Sequence, residues 1–147
     1  MNLRPAEPRD TSEIAAIQAE NWRLSFAEIL PPELVNAWTG YLTTVAFNNL
    51  GRADVTVAEE GADLVGFVAV ENARLWSLFV RPKYWGQGAA QLLYEAADRA
   101  CGEGLYLHVL RDNVRARRFF ERRGLKVLAE AKDLYFDFEV PSVIYGR

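Results

Sequence analysis

The chain has 147 residues, half of them apolar, and a formal charge of −3. That length suits one domain spanning 1–147 with a continuous core. No run approaches the roughly 18 apolar residues of a membrane-spanning helix, and the N-terminus lacks the apolar stretch of a signal peptide. Cys101 stands alone, so an internal disulfide and a cysteine-based zinc site are excluded. The expectation is a soluble cytoplasmic protein without metal. Charge is uneven: Arg111 to Lys126 holds seven basic and two acidic residues, net +5, leaving −8 elsewhere. A basic helix attracts phosphorylated ligands or acidic partners, or is a solvated face; a chain this acidic elsewhere argues against nucleic acid.

Taken in order, Met1 to Arg4 reads as a short strand. Asp10 suits a helix cap with Glu13 reaching back, and Ile14, Ile17 and Asn21 or Trp22 follow at helical spacing to about Phe26. Pro31 and Pro32 open a second helix through Trp38, with a third segment near Phe47. Asp54–Glu59 and Leu64–Glu71, joined by a turn at 60–63, form a hairpin. In its second strand Val65, Phe67 and Ala69 face one way and Val68 and Val70 the other. Apolar on both faces, that strand belongs at the centre of a sheet. Arg74–Val80 is the next strand. The helix after it places Leu92, Leu93, Ala96, Ala97 and Ala100 on one face and stops at Gly102 and Gly104. Leu105–Leu110 is a strand with Leu107 and Val109 inward. Asp112 or Asn113 caps a helix striped by Ala116, Phe119 and Phe120 and ending at Gly124. Leu125–Ala131 and Leu134–Phe138 supply closing strands. The order β-α-α-β-β-β-α-β-α-β-β describes an α/β or α+β sandwich.

The junction at 80–93, VRPKYWGQGAAQLL, carries the chemistry. Gly86 and Gly88 followed by Ala89 and Ala90 let backbone approach a ligand closely. The first turn of the new helix has N–H groups without intrahelical partners, and its dipole favours an anion such as a phosphate. A plain strand-to-helix turn uses the same glycines. The spacing matches neither the nucleoside-triphosphate loop nor the dinucleotide fingerprint, so a phosphate ligand here is of another kind.

Four segments together resemble the GCN5-related N-acetyltransferases over nearly the whole chain. They are Leu78-Phe79-Val80-x-Pro82, the loop Trp85-Gly86-Gln87-Gly88-Ala89-Ala90, Leu107-x-Val109, and Asn113-x-x-Ala116-x-x-Phe119-Phe120-x-x-x-Gly124-Leu125. The resemblance implies a mixed, mostly antiparallel sheet with a splayed parallel strand pair and helices on both faces. It implies that the pantetheine arm of acetyl-CoA lies between strands 75–80 and 105–110, against Leu78, Phe79 and Val80. A backbone N–H near Leu78 would then meet the thioester oxygen. Trp85, Gly86, Gln87, Gly88, Ala89 and Ala90 would wrap the pyrophosphate, Asn113 would touch the pantetheine or phosphate part, and Phe120 would also border the cofactor. The implied reaction moves an acetyl group to a primary amine of a small molecule or peptide by direct attack. An acyl-CoA-binding regulatory module with little or no transfer is the alternative.

The chain departs from the family pattern at three points. Trp85 stands where glutamine or arginine is usual. Phe120 replaces a tyrosine often used as general acid, and Arg74 replaces a glutamate that serves as base. Glu71 at the end of a central strand is the first candidate base, with Glu20 on the first helix and His108, opposite in facing to Leu107 and Val109, as others. Tyr106 is a candidate acid or a packing residue. Trp22, Phe26, Trp76 and Tyr145 are the expected acceptor walls, although aromatics at such spacing also build cores. Homodimers are common among similar proteins, and the apolar strands over 134–145 suit such pairing.

Overall fold

The computed structural model describes residues 1–49 and 54–147, with side chains of 43–49 outside the description. Eleven helices and strands follow in the expected order among the described residues. They are β1 (Asn2–Pro5), α1 (Thr11–Ser25), α2 (Pro32–Asn49), β2 (Asp54–Glu60), β3 (Asp63–Glu71), β4 (Arg74–Val80), α3 (Ala89–Cys101), β5 (Tyr106–Leu110), α4 (Val114–Glu121), β6 (Lys126–Tyr135) and β7 (Phe138–Gly146). The strands form one sheet in the order β1-β2-β3-β4-β5-β7-β6. Only β4 and β5 run parallel; every other neighbouring pair is antiparallel. The separate segment expected near Phe47 is part of α2, because Pro32 at the helix start interrupts nothing downstream.

Helices cover both faces. On one side Leu93, Tyr94 and Ala97 of α3 and Phe120 of α4 pack on Leu107, Val109, Val143 and Tyr145 of β5 and β7. On the other, Trp22 of α1, Phe26 just beyond its end, and Leu34 and Leu42 of α2 pack on Leu110 and Val140. Each fully buried side chain of this kind contributes about 1.5–3 kcal/mol. The inward face of α3 is Ala89, Leu93, Tyr94 and Ala97, with Ala100 exposed. Tyr94 takes the place that a purely aliphatic reading gave to alanines.

Two local irregularities decide which residues face which layer. A register shift between Ala58 and Glu59 turns Val65 to the side of Val68 and Val70, leaving Leu64 and Phe67 on the other. Simple alternation had grouped Val65 with Phe67, and the inserted residue reverses that parity. At the C-terminus the hairpin turn falls at 136–137, not between 131 and 134. Phe136 takes a left-handed backbone, φ +53, a role that sequence patterns reserve for glycine or asparagine. β7 therefore runs through Pro141, which sits beyond the last residue of β5, since Leu110 pairs with Ser142. There its missing N–H removes no bond to β5.

Asp10 precedes α1 but does not cap it. Its carboxylate receives two Arg4 nitrogens at 2.8 and 3.0 Å and the Glu7 N–H at 2.8 Å. Arg4 also reaches Glu59 through Nε at 3.0 Å, so one guanidinium joins β1, β2 and the start of α1. Hydrogen bonding from Arg4 holds the Asp10 carboxyl below its ordinary value. A depressed folded value makes this stabilisation complete above the unfolded value of about 3.9, and it is lost as pH falls through the folded one. Urea unfolding between about pH 6 and about pH 2 should show wild type losing more stability on acidification than Arg4→Met. Parallel curves would uncouple the pair. Near neutrality Arg4→Met is expected to cost about 3 kcal/mol, since it strands a buried carboxylate.

Candidate active site

β4 carries one extra residue opposite β3: Ala69 pairs with Ser77 but Val70 with Leu75, which leaves Trp76 as a bulge. Bulges increase local twist and bend a strand away from its neighbour. β4 accordingly keeps one register partner on β5, Arg74 with Tyr106, where the Tyr106 N–H donates to the Ala73 carbonyl at 3.1 Å. Past that point the two strands diverge toward Val80 and Leu110. The other edge of β5 is paired with β7 along all of Tyr106–Leu110, so the gap belongs to β4 and β5 alone.

The hydrogen-bond parity of β4 identifies what faces this gap. The Arg81 N–H donates to the Val65 carbonyl at 2.8 Å. Alternation along an antiparallel pair then turns Phe79 to β3 and leaves the peptide groups of Leu78 and Val80 toward β5. The Val80 carbonyl accepts from Asn21 Nδ2 at 3.0 Å and from Trp85 Nε1 at 2.8 Å. Leu78 thus presents an N–H and a carbonyl at the gap, while Val80 is tied down. Asn21 is buried and also donates to the Ile17 carbonyl at 2.9 Å. It clamps α1 to the end of β4, a role that nothing in its local sequence announces.

The loop beyond β4 is built to expose backbone. A 3₁₀ turn at Pro82–Tyr84 leads to Trp85, whose indole anchors the loop to β4. That bond explains a tryptophan where the family pattern has a polar residue. Gly86 and Gly88 have φ of +78 and +91, and a Cβ at either would meet no atom within 4 Å. The backbone thus needs glycine for its conformation, and the space beside it is open. Leu92 N–H donates to the Gly88 carbonyl at 3.1 Å; the amides of Ala89, Ala90 and Gln91 precede that first helical bond. No acidic residue occupies the first turn of α3. Across the loop, Arg115 of α4 stacks on Trp85 with Cζ 3.7 Å from the ring centroid, which brings positive charge to the mouth.

The other expected site residues divide clearly. Asn113 caps α4 by accepting from the Ala116 N–H at 3.3 Å. Phe120 is buried against Tyr94 and Phe119, with ring centroids 6.1 and 5.1 Å away. Glu71 is exposed at the end of β3 opposite Arg74, whereas Leu78 pairs with Val68 three residues earlier. About 10 Å of strand separates the two, and Glu71 lies at the closed end of the gap. Tyr145 is 0 % exposed; its hydroxyl donates to Glu121 at 2.6 Å and accepts from Arg117 Nε at 2.9 Å. It packs beneath α3 and α4, on the opposite layer from Trp22, because β7 directs it there.

Trp22 and Phe26 meet edge to face at 4.6 Å, both buried. They form a base for Trp38 and Tyr135, whose rings lie 4.9 Å apart. Tyr135 belongs to the β6–β7 hairpin, which beyond Pro141 bends over the α1/α2 face of the sheet. Burial pushes its hydroxyl up to about 12, so it stays protonated at neutral pH. On the same hairpin Asp133 Oδ1 lies 3.0 Å from His108 Nδ1. Trp76 is 50 % exposed. A cavity of about 570 Å³ lies elsewhere, between Gln91, Asp98, Arg123, Lys126 and Arg147 on the outer side of α3, and shares neither Leu78 nor Asn113.

Comparison with known proteins agrees with this geometry. An Acetyltransferase (GNAT) family model matches residues 15–125. The chain is 24 % identical over 132 residues to the uncharacterized N-acetyltransferase YafP of Escherichia coli K12, covering 90 % of this chain and 85 % of that protein. It superposes on a GCN5-related N-acetyltransferase from Rhodopseudomonas palustris with a TM-score of 0.87 at 22 % identity, over 98 % of this chain and 92 % of that one. A PaiA N-acetyltransferase from Thermoplasma acidophilum, solved with coenzyme A, superposes with a TM-score of 0.82 at 19 % identity over 99 % and 98 % of the chains. With a family match spanning three-quarters of its length, a sheet splayed between β4 and β5 and a glycine loop at the mouth of that gap, this chain belongs to the GNAT acetyltransferase family.

Proposed function

We propose that this protein transfers the acetyl group of acetyl-CoA to a primary amine of a small molecule or peptide. One observation carries the reading: an unpaired stretch of β4 at Leu78 leads directly into the open glycine loop. The residues fit the cofactor. Space beside Gly86 and Gly88, together with the amides of the first turn of α3, suits a diphosphate. The gap between β4 and β5 suits an extended amide chain that pairs with Leu78 and its neighbours as another strand would. Coenzyme A in the Thermoplasma relative accords with this assignment.

When bound, acetyl-CoA supplies an activated acyl carbon. The Leu78 N–H donates to the oxygen of that carbonyl as charge grows on it, an effect worth about 10²–10³ in rate. His108 takes the proton of the acceptor amine. An ionised Asp133 only accepts, so Nδ1 of His108 carries hydrogen and Nε2 is left as the basic nitrogen. His108 faces the α1/α2 layer together with Leu110, opposite to Leu107 and Val109, whereas Glu71 stands at the closed end of the gap. Phe120 has no proton to give, so a thioester bound here would have to release its sulfur as thiolate. For a thiol of ordinary pKa, about 8.5, that costs about 2 kcal/mol at neutral pH, which slows the step without abolishing it.

The test is release of free thiol from acetyl-CoA across a panel of primary amines, run beside thermal shift with acetyl-CoA alone. We expect a higher Tm with acetyl-CoA and amine-dependent thiol release. Binding without release above hydrolysis would leave the regulatory-module reading in its place. An unchanged Tm at millimolar acetyl-CoA would remove both.

A further inference from the structure

We propose that the acceptor bears a carboxylate beside its amine, as an amino acid does, and that Arg74 binds this carboxylate. The inference rests on the transferase reading and names the substrate class of that same site.

Arg74 opens β4 at the narrow end of the gap, opposite Tyr106. Its guanidinium lies over the Trp76 ring, Cζ 3.5 Å from the centroid, so the bulge that splays β4 also presents the stacking face. Nε is shielded from solvent and donates to nothing. Among the described residues no carboxylate pairs with Arg74. Asp133 lies within its field, but Asp133 Oδ1 is engaged by His108. Burial accordingly holds the Arg74 guanidinium below the usual arginine range.

A half-buried cation that has lost water and gained no anion is costly to keep. Stacking on an indole offsets part of that cost, and it also holds the planar fork in one orientation. Such a fork matches a carboxylate through two parallel N–H bonds. The position suits an acceptor: Arg74 pairs with Tyr106 across the gap, and His108 lies two residues along β5 from Tyr106, their ring centroids 6.4 Å apart, so the anion site and the basic nitrogen lie on adjacent strands. A zwitterionic ligand would place its carboxylate on Arg74 and its amine toward His108. The lone positive charge on β4 then reads as a group that selects the acceptor, with the proton taken elsewhere.

The experiment compares amino acids with their decarboxylated amines: phenylalanine with phenethylamine, leucine with isoamylamine, lysine with cadaverine. Wild type should favour the acid on the order of 30-fold in kcat/KM, the size of one charged hydrogen-bonded contact. Arg74→Met keeps the aliphatic stem and removes the charge; it should erase the preference through KM and leave the decarboxylated amines within about threefold. Arg74→Lys, which keeps charge without the fork, should fall between them and guards against a Met variant that does not fold. Equal use of acid and amine by wild type, or a preference that survives Arg74→Met, overturns the proposal. Calorimetry of the same pairs with CoA-loaded protein reads the preference independently of turnover. If no compound releases thiol yet the acids bind better through Arg74, the transferase reading fails and the carboxylate site at Arg74 stands without it. If thiol is released but neither rate nor binding depends on the carboxylate, this one fails alone.

Discussion

Valine in place of Gly88 is expected to weaken acetyl-CoA binding on the order of 100-fold while the domain stays folded. The estimate follows from charge-assisted bonds of about 1.5–3 kcal/mol each between a phosphate and the amides around residue 88. Gly88 has φ +91, and its missing Cβ would point into open space. A Cβ there meets no atom within 4 Å, so the cost to the fold is chiefly backbone strain, roughly 1–2 kcal/mol. The branched carbons fill the volume in which the diphosphate would lie. Gly61 provides the control, since it has φ +59, equally open surroundings and a place in the β2–β3 turn. Gly61→Val should lower Tm by a similar amount and leave affinity unchanged. Calorimetry with acetyl-CoA on both variants checks the pair, and equal affinities in the two would remove the loop from the cofactor site.

Proline at Leu78 is expected to reduce turnover about 10²–10³-fold at saturating acetyl-CoA. The substitution deletes one N–H and replaces it with ring carbon. In a central strand that change breaks a ladder bond and is rarely tolerated. Here the parity set by the Arg81–Val65 bond turns the Leu78 N–H away from β3, toward a stretch where β5 gives no partner. The strand is locally an edge. Phe79→Pro, one residue on, removes a bond to β3 and should fail to fold. A soluble Leu78→Pro protein with full turnover would place the oxygen's hydrogen-bond donor elsewhere, and equal damage from both prolines would mean that the parity is misassigned.

Much of the scaffold was legible from local pattern. Element order, the start of α3 after two glycines and the Asn113 cap each depend on residues within one or two turns of one another. Amphipathic period, turn chemistry and capping act at that range. The glycine loop was legible for the same reason: positive φ and small side chains are properties of consecutive residues. Local reading failed where the signal was inverted. Phe136 adopts a left-handed turn without being glycine, so the last hairpin was expected several residues too early. The bulges at Val65 and Trp76 are invisible in the one-letter chain, since a strand with one extra residue still alternates.

The α1/α2 side of the sheet depends on pairings that no window spans. Asn21 meets Val80 and His108 meets Asp133 only because α1 crosses β4 and the last hairpin bends back over β5. Tyr145 and Trp22 looked equivalent as aromatic candidates, yet the sheet sends them to opposite layers. By itself the sequence determined the type of fold, the order of its parts and the open glycine loop that starts α3, because neighbouring residues dictate helix starts, turns and strand faces. Only the tertiary structure decided where the strands separate, which peptide groups face the gap and which charges lack a partner. Those depend on register, bulges and burial, and each arises from contacts between residues tens of positions apart.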